Sequence, residues 1–205
     1  MSYSVVKRTV DITISFLALL LLMPFFIVIG IIIKIDSKGP VVFRQRRVGK
    51  GKEYFDIIKF RTMKTDTPKE MATHLLENPE QYITKWGRFL RNSSIDEMPQ
   101  VWNILVGQMS FVGPRPALWN QFDLIEERDK YGANDILPGL TGWAQVNGRD
   151  EISIEMKAKL DGEYTRNRGV KMDLLCIAKT VAKILKRDGI VEGKRSSNNK
   201  DDFRG

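Results

Sequence analysis

The longest apolar run of the chain lies near its N-terminus. No charged residue occurs from Ile12 to Ile33, a stretch of 22 residues, which as a helix is about 33 Å long. A bilayer core is about 30 Å thick, so the run is long enough to cross a membrane. Pro24 lies near its centre, where proline removes a backbone donor and clashes with the preceding turn. The pattern therefore predicts a membrane helix that is kinked or broken at Pro24.

Basic residues lie on both sides of this run. They are Lys7 and Arg8 before it, and Lys34, Lys38, Arg44, Arg46 and Arg47 after it. Cationic flanks favour the cytoplasm, so both ends prefer the same side of the membrane. A re-entrant helix that is broken at Pro24 satisfies both signals, and a kinked transmembrane helix is the alternative. A cleaved signal peptide is disfavoured, because the run exceeds the usual apolar region of about 7–15 residues.

The patterns after this run predict a β-hairpin followed by helices. Two segments rich in β-branched and aromatic residues, VVFRQRR and EYFDIIKFR, lie between residues 41 and 61 and flank a turn at Gly49-Lys50-Gly51. Residues 64 to 92 are mostly polar, and Pro138 to Gly148 is glycine-rich and predicted to be irregular. Helices are predicted over Lys69 to Leu76, Met98 to Val106, Ala117 to Lys130, 152 to 166 and 172 to 187.

The last predicted helix combines apolar residues with several cations. The cations are Lys179, Lys183, Lys186 and Arg187. This pattern is typical of a helix that lies in a membrane interface. A helix that packs on a protein core and exposes a basic face gives the same pattern, but an anchor in the same chain favours the interfacial interpretation.

Composition narrows the available chemistry. The chain has 205 residues, a formal net charge of +8, one cysteine (Cys176) and one histidine (His74). A single cysteine excludes an internal disulfide framework and is typical of a reducing compartment. A zinc site of several His and Cys ligands is excluded as well. The positive charge indicates an anionic partner, and the apolar run favours a lipid over a nucleic acid.

The segment RNSSIDEMPQ, residues 91 to 100, contains two adjacent acids, Asp96 and Glu97. Ser94 and Glu97 match a capping box, which is the simplest explanation of the segment taken alone. Pro99 would then follow the first turn of the helix, where it fits poorly. The alternative is that the two carboxylates carry chemistry.

Two further segments contain arginines suited to phosphate. Arg115 lies between two prolines in Gly113-Pro114-Arg115-Pro116, which limits the entropy lost in placing its guanidinium on a phosphate. A rigid turn with a solvated arginine is the alternative. GLTGWAQVNGR, residues 139 to 149, has glycines that allow close backbone approach, and it ends in Arg149. Two carboxylates and several arginines suit Mg²⁺-assisted transfer at a phosphate.

Five motifs in order make the chain resemble one family. They are KRTVDI from Lys7, KFRTM from Lys59, SSIDEMPQ from Ser93, MSFVGPRPAL from Met109 and PGLTGWAQVNGR from Pro138. The chain is similar to the monotopic phosphoglycosyl transferases, the bacterial sugar transferase family, from residue 5 to about residue 187. Its length resembles that of the small members, which contain little beyond the catalytic core.

The resemblance implies a fold and a division into domains. The expected class is α+β and mostly helical, with a re-entrant membrane helix, a small β-hairpin and amphipathic interfacial helices around a compact cytosolic catalytic domain. The expected segments are an anchor over residues 1–38, a catalytic domain over 39–188, and a polar, disordered tail over 189–205. The active site would lie at the cytoplasmic face of a bacterial inner membrane. The position before Pro24 is Met23, whereas some relatives have a serine there.

The resemblance also implies a reaction and its residues. A sugar-1-phosphate would pass from a UDP-sugar to a polyprenyl phosphate, with release of UMP, through a covalent intermediate on Asp96. Glu97 would bind Mg²⁺ together with Asp96 or handle a proton. Substrate-binding residues would be Arg91, Arg115, Arg149, Asp161 and Asp173, although a first-turn carboxylate on a helix is the simpler explanation of Asp173. The sequence does not specify the sugar or the oligomeric state.

Three other functions compete with this one. A non-enzymatic adaptor that binds anionic membrane lipid would explain the charge and the anchor, but not the acidic, PRP and glycine-rich motifs. A nucleic-acid-binding protein would have no use for the anchor, and the chain has no recognition motif of that kind. A polytopic transferase would need several spans, and the sequence has one apolar segment of sufficient length.

Overall fold

The computed structural model describes residues 2–67, 78–148 and 152–186, and these residues are mostly helical with two small sheets. The strands are β1 (Val42–Val48), β2 (Tyr54–Phe60), β3 (Ser110–Val112) and β4 (Gly139–Thr141). The helices are α1 (Tyr3–Asp36), α2 (Lys85–Asn92), α3 (Val101–Leu105), α4 (Phe122–Asp129), α5 (Trp143–Asn147), α6 (Ile154–Asn167) and α7 (Val170–Lys186). The predicted helix over Lys69 to Leu76 and the predicted tail lie outside the described residues.

The long apolar helix α1 continues through Pro24 as a single element. The predicted break at Pro24 is therefore not confirmed, since a helix can lose one backbone hydrogen bond to proline and continue with a bend. The helix is long and apolar enough to cross a membrane, with a mean hydropathy of 3.1, and only 11% of this apolar window is buried in the protein. It is therefore unlike the core helix of a globular domain.

One stripe of α1 packs on the rest of the chain at both ends of the helix. Asp11 and Ser15 are buried near its start, and Ile29 and Ile33 near its end. The remaining face is apolar and exposed, including Phe16, Leu17, Leu20, Leu21, Ile27, Val28 and Ile31. The rest of the described chain thus covers one side of α1 and leaves the other side apolar and exposed, as in a helix that contacts another apolar surface.

The predicted hairpin is confirmed as the antiparallel pair of β1 and β2. In its register Phe43 lies opposite Lys59, and Arg47 opposite Phe55. Opposite residues share a face of the sheet, so Arg47 and Lys59 lie on the same face as Phe55. This face packs on α3 and β3, because Phe55 and Ile57 form a buried cluster with Ile104 of α3 and Met109, and Phe111 of β3 packs against this cluster.

The predicted helix over Met98 to Val106 has two parts in the structure. Ile95–Gln100 is a 3-10 segment that contains Pro99, and α3 follows it directly. The Asn103 side chain joins α3 to the hairpin, because it accepts from the Ile58 amide at 3.0 Å and donates to the Asp56 carbonyl at 2.8 Å. The 3-10 segment is therefore held against β2.

Helix α2 was not predicted. It has eight residues and contains Gly87, so it lacks a long apolar period. The signal that could have located its start is Thr84, whose side chain accepts from the Gly87 amide as an N-cap. Strands β3 and β4 and helix α5 were missed for a similar reason, since each has three to five residues.

Three glycines bring two motifs into backbone contact. A Cβ on Gly142 would lie 2.0 Å from the Gly113 carbonyl oxygen, and a Cβ on Gly139 would lie 2.1 Å from the Gly113 amide nitrogen. Gly113 also donates its amide to Thr141 at 2.9 Å. These glycines therefore allow the PRP loop to pack on the glycine-rich loop, and a role of the glycine-rich loop at a phosphate stays a prediction.

The two predicted C-terminal helices are confirmed as α6 and α7. The predicted Ala117 to Lys130 helix is shorter, because α4 begins at Phe122. Two of the cations on α7 contact α5: Lys179 Nζ lies 4.3 Å from the centre of the Trp143 ring, and Lys183 donates to the Gln145 carbonyl at 3.5 Å. These contacts give the two lysines a role within the protein, and the interfacial position of α7 stays a prediction.

Candidate active site

The two adjacent acids lie in the first turn of the 3-10 segment, against the hairpin. Both Asp96 and Glu97 are largely withdrawn from solvent. Glu97 Oε1 accepts from Lys59 Nζ at 2.7 Å and from Arg115 Nη2 at 2.8 Å. One carboxylate thus joins the KFRTM motif of β2 to the PRP loop.

The capping box, which was the simpler explanation of this segment, does not form. Ser94 has a left-handed backbone with φ of 56° and makes no side-chain capping bond. The Glu97 side chain turns to the two cations instead of back to the helix start. The ionic environment of Glu97 therefore favours the chemical interpretation of the dyad.

The two acids have opposite electrostatic environments. Burial raises the pKa of Asp96 to about 6, and Glu97 adds to this, while Lys59, Arg91 and Arg115 oppose it. Burial would also raise the pKa of Glu97, but the Arg115 and Lys59 cations outweigh it and hold that pKa well below its usual range. Asp96 makes no hydrogen bond or ion pair to the described parts of the chain. A buried, uncommitted carboxylate beside a neutralised one is the arrangement expected of a reactive group.

Two cations near the dyad were not assigned to the site from the sequence. Lys59 is buried, which lowers its pKa, and it pairs with Glu97. Arg47 lies near Arg115. Burial and the charge of Arg115 together lower the pKa of Arg47 to about 9. The available signal was the strand alternation of the hairpin, which places Arg47 and Lys59 on one face.

The structure supports the predicted positions of the arginines unequally. Arg115 contacts the dyad directly. Arg91 at the end of α2 lies near enough to affect the pKa of Asp96, and its Nη1 is 3.5 Å from the Thr62 hydroxyl. Arg149 lies outside the described residues. The phosphate-binding roles of all three stay predictions.

Asp161 and Asp173 have partners away from the dyad. Asp161 is buried and accepts from Arg128 Nε at 2.8 Å and Nη2 at 2.5 Å, which joins α6 to α4. Asp173 joins α7 to the anchor, because its Oδ2 accepts from Lys7 at 2.7 Å and from the Tyr3 hydroxyl at 2.8 Å. Both acids thus join helices of the protein, and neither contacts Asp96 or Glu97. Their substrate-binding roles stay predictions.

The anchor is fastened next to the strand that leads into the PRP loop. Asp11 Oδ1 accepts from the Phe111 amide of β3 at 3.2 Å. The Tyr164 hydroxyl lies 2.7 Å from Asp173 Oδ1 and 3.1 Å from the Val112 carbonyl. Arg8 donates to the carbonyls of Ile104 and Leu105 at the end of α3. The first turns of α1 therefore contact α3, which directly follows the segment with the two acids, and β3, which leads into the PRP loop.

The donor set of the dyad fits a magnesium ion. Mg²⁺ is usually bound by one or two carboxylates together with substrate phosphates and water. Asp96 and the Oε2 atom of Glu97 have no hydrogen-bond partner in the described parts of the chain. Within those parts, no group of three or more Cys, His, Asp and Glu side chains forms a protein-only metal site. A magnesium ion at the dyad would complete its coordination with substrate phosphate oxygens and water.

The model of the bacterial sugar transferase family matches residues 2–187 of the chain. The chain therefore belongs to this family. The resemblance recognised from the five motifs is confirmed, and so is the prediction of a transferase enzyme.

Several relatives support the same family. The chain is 38% identical over 186 residues to EpsL of Bacillus subtilis, described as an uncharacterized sugar transferase, covering 91% of this chain and 90% of that protein. It is 39% identical to an undecaprenyl-phosphate glucose phosphotransferase of Komagataeibacter xylinus, covering 85% of this chain and 35% of that protein. It is 36% identical to a UDP-N-acetylgalactosamine-undecaprenyl-phosphate N-acetylgalactosaminephosphotransferase of Aeromonas hydrophila, covering 89% and 44%. The chain thus spans less than half of the two relatives whose substrates are named.

Proposed function

We propose that this protein transfers a sugar-1-phosphate from a UDP-sugar to a polyprenyl phosphate and releases UMP, with Asp96 as the nucleophile. Two of the relatives above are named for this type of reaction on undecaprenyl phosphate. The observation that carries the proposal is the environment of Asp96. Its carboxylate is buried and has no hydrogen-bond partner among the described residues, while the adjacent Glu97 pairs with two cations.

In the first step an ionised Asp96 oxygen attacks the β-phosphorus of the UDP-sugar. The bond between that phosphorus and the oxygen bridging to the α-phosphate breaks, and UMP leaves with this oxygen. The sugar phosphate is then held as a mixed anhydride on Asp96. The pKa of about 6 leaves Asp96 mostly ionised at neutral pH but more basic than an ordinary aspartate.

In the second step a phosphate oxygen of the polyprenyl phosphate attacks the same phosphorus. The bond to Asp96 breaks, the carboxylate is regenerated, and the product is a polyprenyl diphosphate sugar. Both steps bring an anion to an anionic phosphate, so positive charge at the site lowers the barrier. The Lys59, Arg91 and Arg115 side chains supply this charge around Asp96.

A magnesium ion held by Asp96 and Glu97 would neutralise further charge on the diphosphate when bound. Glu97 has a second task that needs no metal. It keeps Lys59 and Arg115 at a fixed separation, since both donate to one of its oxygens.

The contacts of α1 support a re-entrant anchor with both ends on the cytoplasmic side. A straight helix of 34 residues is about 51 Å long. Its start contacts α7 through Asp173, and its end packs on Phe60 of β2 and Leu90 of α2. A helix that crossed a bilayer would separate these partners onto opposite sides of the membrane. The proposed topology keeps them together.

Intact-protein mass spectrometry in the absence of acceptor tests the covalent step. Purified enzyme in nanodiscs is mixed with a panel of UDP-sugars, and both released UMP and protein mass are measured. We expect at most one UMP per site and a gain of one phosphosugar that maps to Asp96. Asp96→Asn should lose the adduct and turnover, because an amide is a poor nucleophile. The matched control is Asp56→Asn, which changes an exposed acid of β2.

Four results would count against this mechanism. An adduct on another residue, or an active Asp96→Asn enzyme, would reject Asp96 as the nucleophile. UMP release that requires the acceptor, with no adduct, would indicate direct attack by the lipid phosphate. If no UDP-sugar gives UMP and no polyprenyl product forms, the reaction itself is wrong, and binding of anionic lipid without turnover would favour an adaptor.

A further inference from the structure

The geometry points to Arg47 as a positioning residue that holds the PRP loop so that Arg115 faces the donor diphosphate. This inference rests on the proposed function and adds a residue to it. Arg47 lies in β1, on the hairpin face that carries Lys59. Its Nη1 donates to the Pro116 carbonyl at 3.1 Å, and its Nη2 donates to Gln45 Oε1 at 2.6 Å. The Pro116 carbonyl belongs to the residue that directly follows Arg115.

The end of β1 fastens the PRP loop from one side. The Val48 amide donates to the Ala117 carbonyl at 3.0 Å, and Arg47 pairs with Leu118 as an isolated β-bridge. On the other side of Arg115, Gly113 is fixed by its contacts with the glycine-rich loop. Arg115 therefore lies between two attachments. The Pro114 carbonyl before it accepts from the Gly139 amide at 2.8 Å, and the Pro116 carbonyl after it accepts from the Arg47 side chain.

The surroundings of Arg47 are unfavourable for a residue that only supports the fold. Its acceptors are a carbonyl and an amide oxygen rather than a carboxylate, and its Nε atom is buried without a partner. Two other cations, Arg115 and Lys59, lie close enough to repel it, and the Glu97 carboxylate offsets this repulsion only in part, because burial and Arg115 still lower the pKa of Arg47. A partly buried cation whose hydrogen-bond acceptors are all neutral is usually less stable than an apolar residue of similar size. A bound diphosphate would make the cation favourable at this position, because its negative charge would offset the repulsion among Arg47, Lys59 and Arg115.

The expected kinetic result separates binding of the donor from chemistry. Arg47→Met should raise the KM for the UDP-sugar about tenfold and leave kcat within about twofold, as expected for losing a hydrogen bond made by a charged group. Arg47→Lys should give an intermediate KM. A lysine ammonium can reach the Pro116 carbonyl, but it cannot make both hydrogen bonds of the planar guanidinium, to Pro116 and to Gln45, in the same geometry. The control is Arg46→Met, which changes the next residue of the same strand, on its exposed face.

A double-mutant cycle tests whether Arg47 acts through Arg115. The kcat/KM for the donor is measured for Arg47→Met, Arg115→Met and the double variant, with melting temperatures recorded for each. If Arg47 positions Arg115, the Arg47 substitution has no further effect once Arg115 is gone. Additive losses, an equal effect of Arg46→Met, or a loss of kcat at unchanged KM would each overturn the inference. If Arg47→Met does not fold, the same cycle is run with Arg47→Lys.

Equilibrium binding of UDP gives a readout that does not depend on turnover. Arg47→Met should bind UDP about tenfold more weakly than the wild type, and Arg46→Met should not. Wild-type UDP binding without UMP release from any UDP-sugar would reject the proposed function alone. Normal turnover with equal UDP affinity in both methionine variants would reject the role of Arg47 alone.

Discussion

Neutralising the two adjacent acids should change the stability of the protein in opposite directions. We expect Asp96→Asn to raise the free energy of unfolding and Glu97→Gln to lower it, although both variants lose turnover. The reason is that Asp96 is buried and makes no hydrogen bond or ion pair with the described residues, whereas Glu97 pairs with Lys59 and Arg115. Opposite signs from neighbouring carboxylates would be difficult to explain by helix capping.

The Asp96 effect follows from its raised pKa. The pKa is about 6 in the folded protein against an ordinary value of 3.8, so the native state binds the proton more tightly than the unfolded state. Ionised Asp96 therefore destabilises the fold progressively as the pH rises through this interval, and fully above it. The difference between these two pKa values corresponds to about 3 kcal/mol of unfolding free energy. At pH 8, Asp96→Asn should therefore raise the free energy of unfolding by about 2–3 kcal/mol, and near pH 4 it should raise it only slightly.

The Glu97 effect has the opposite sign. Its pKa is lowered in the folded protein, so its stabilisation is present above the ordinary value and is lost as the pH falls through the folded value. Removing one partner of a buried ion pair costs about 3–5 kcal/mol. The Arg115 side chain is 33% exposed, so Glu97→Gln should cost about 2–4 kcal/mol at pH 8.

Thermal unfolding in nanodiscs, followed by tryptophan fluorescence, measures both effects. At this size about 1 kcal/mol changes the melting temperature by about 2–4 °C, so the two variants should differ by about 10 °C or more at pH 8. Glu53→Gln, at an exposed turn residue, is the control and should match the wild type. If both variants are destabilised, or both are neutral, the electrostatic description of the dyad is wrong.

Three further outcomes are expected. The kcat/KM for the donor should fall as the pH drops below about 6, since protonated Asp96 is not a nucleophile, and a pH-independent rate down to about 4.5 would contradict this. EDTA should abolish turnover and Mg²⁺ or Mn²⁺ should restore it; full activity in EDTA would exclude the metal. Cysteines placed at Ser2 and Lys38 should both be inaccessible to an external thiol reagent in intact spheroplasts, with buried Cys176 as the internal control, whereas external labelling of position 2 would reject the re-entrant topology.

The sequence was most informative where one period or one motif extended over many residues. The long apolar helix, the hairpin and helices α6 and α7 were all predicted, because each has a hydrophobic or β-branched pattern that extends over at least seven residues. The eight-residue helix α2 lacks such a pattern and was missed. Short elements were missed, since β3, β4 and α5 each owe their form to tertiary contacts rather than to local preference. Gly113 is the clearest example, because its partners Gly139 and Gly142 lie in another motif.

The candidate site shows the same division. The dyad and Arg115 were identified from motifs, and the structure brings them into contact through Glu97. Lys59 was part of a quoted motif but had no assigned role, and Arg47 was counted only as a flanking charge. Their importance depends on which face of the hairpin meets the 3-10 segment, and a sequence pattern does not contain that information. Asp161 and Asp173 were assigned by resemblance, while their observed partners are Arg128 and Lys7.

The contacts of the first turns of α1 have a consequence for synthesis of the chain. The partner of Lys7 is 166 residues further along, and the partner of Asp11 is 100 residues further along. Translation proceeds at about 5–20 residues per second, so Asp173 is synthesised on the order of 10–30 s after Lys7. During this interval the apolar helix must already avoid water. The orientation of α1 is therefore set before Lys7 and Arg8 can contact their partners. The later contacts with Asp173, Ile104 and Leu105 stabilise an orientation that the helix has already adopted.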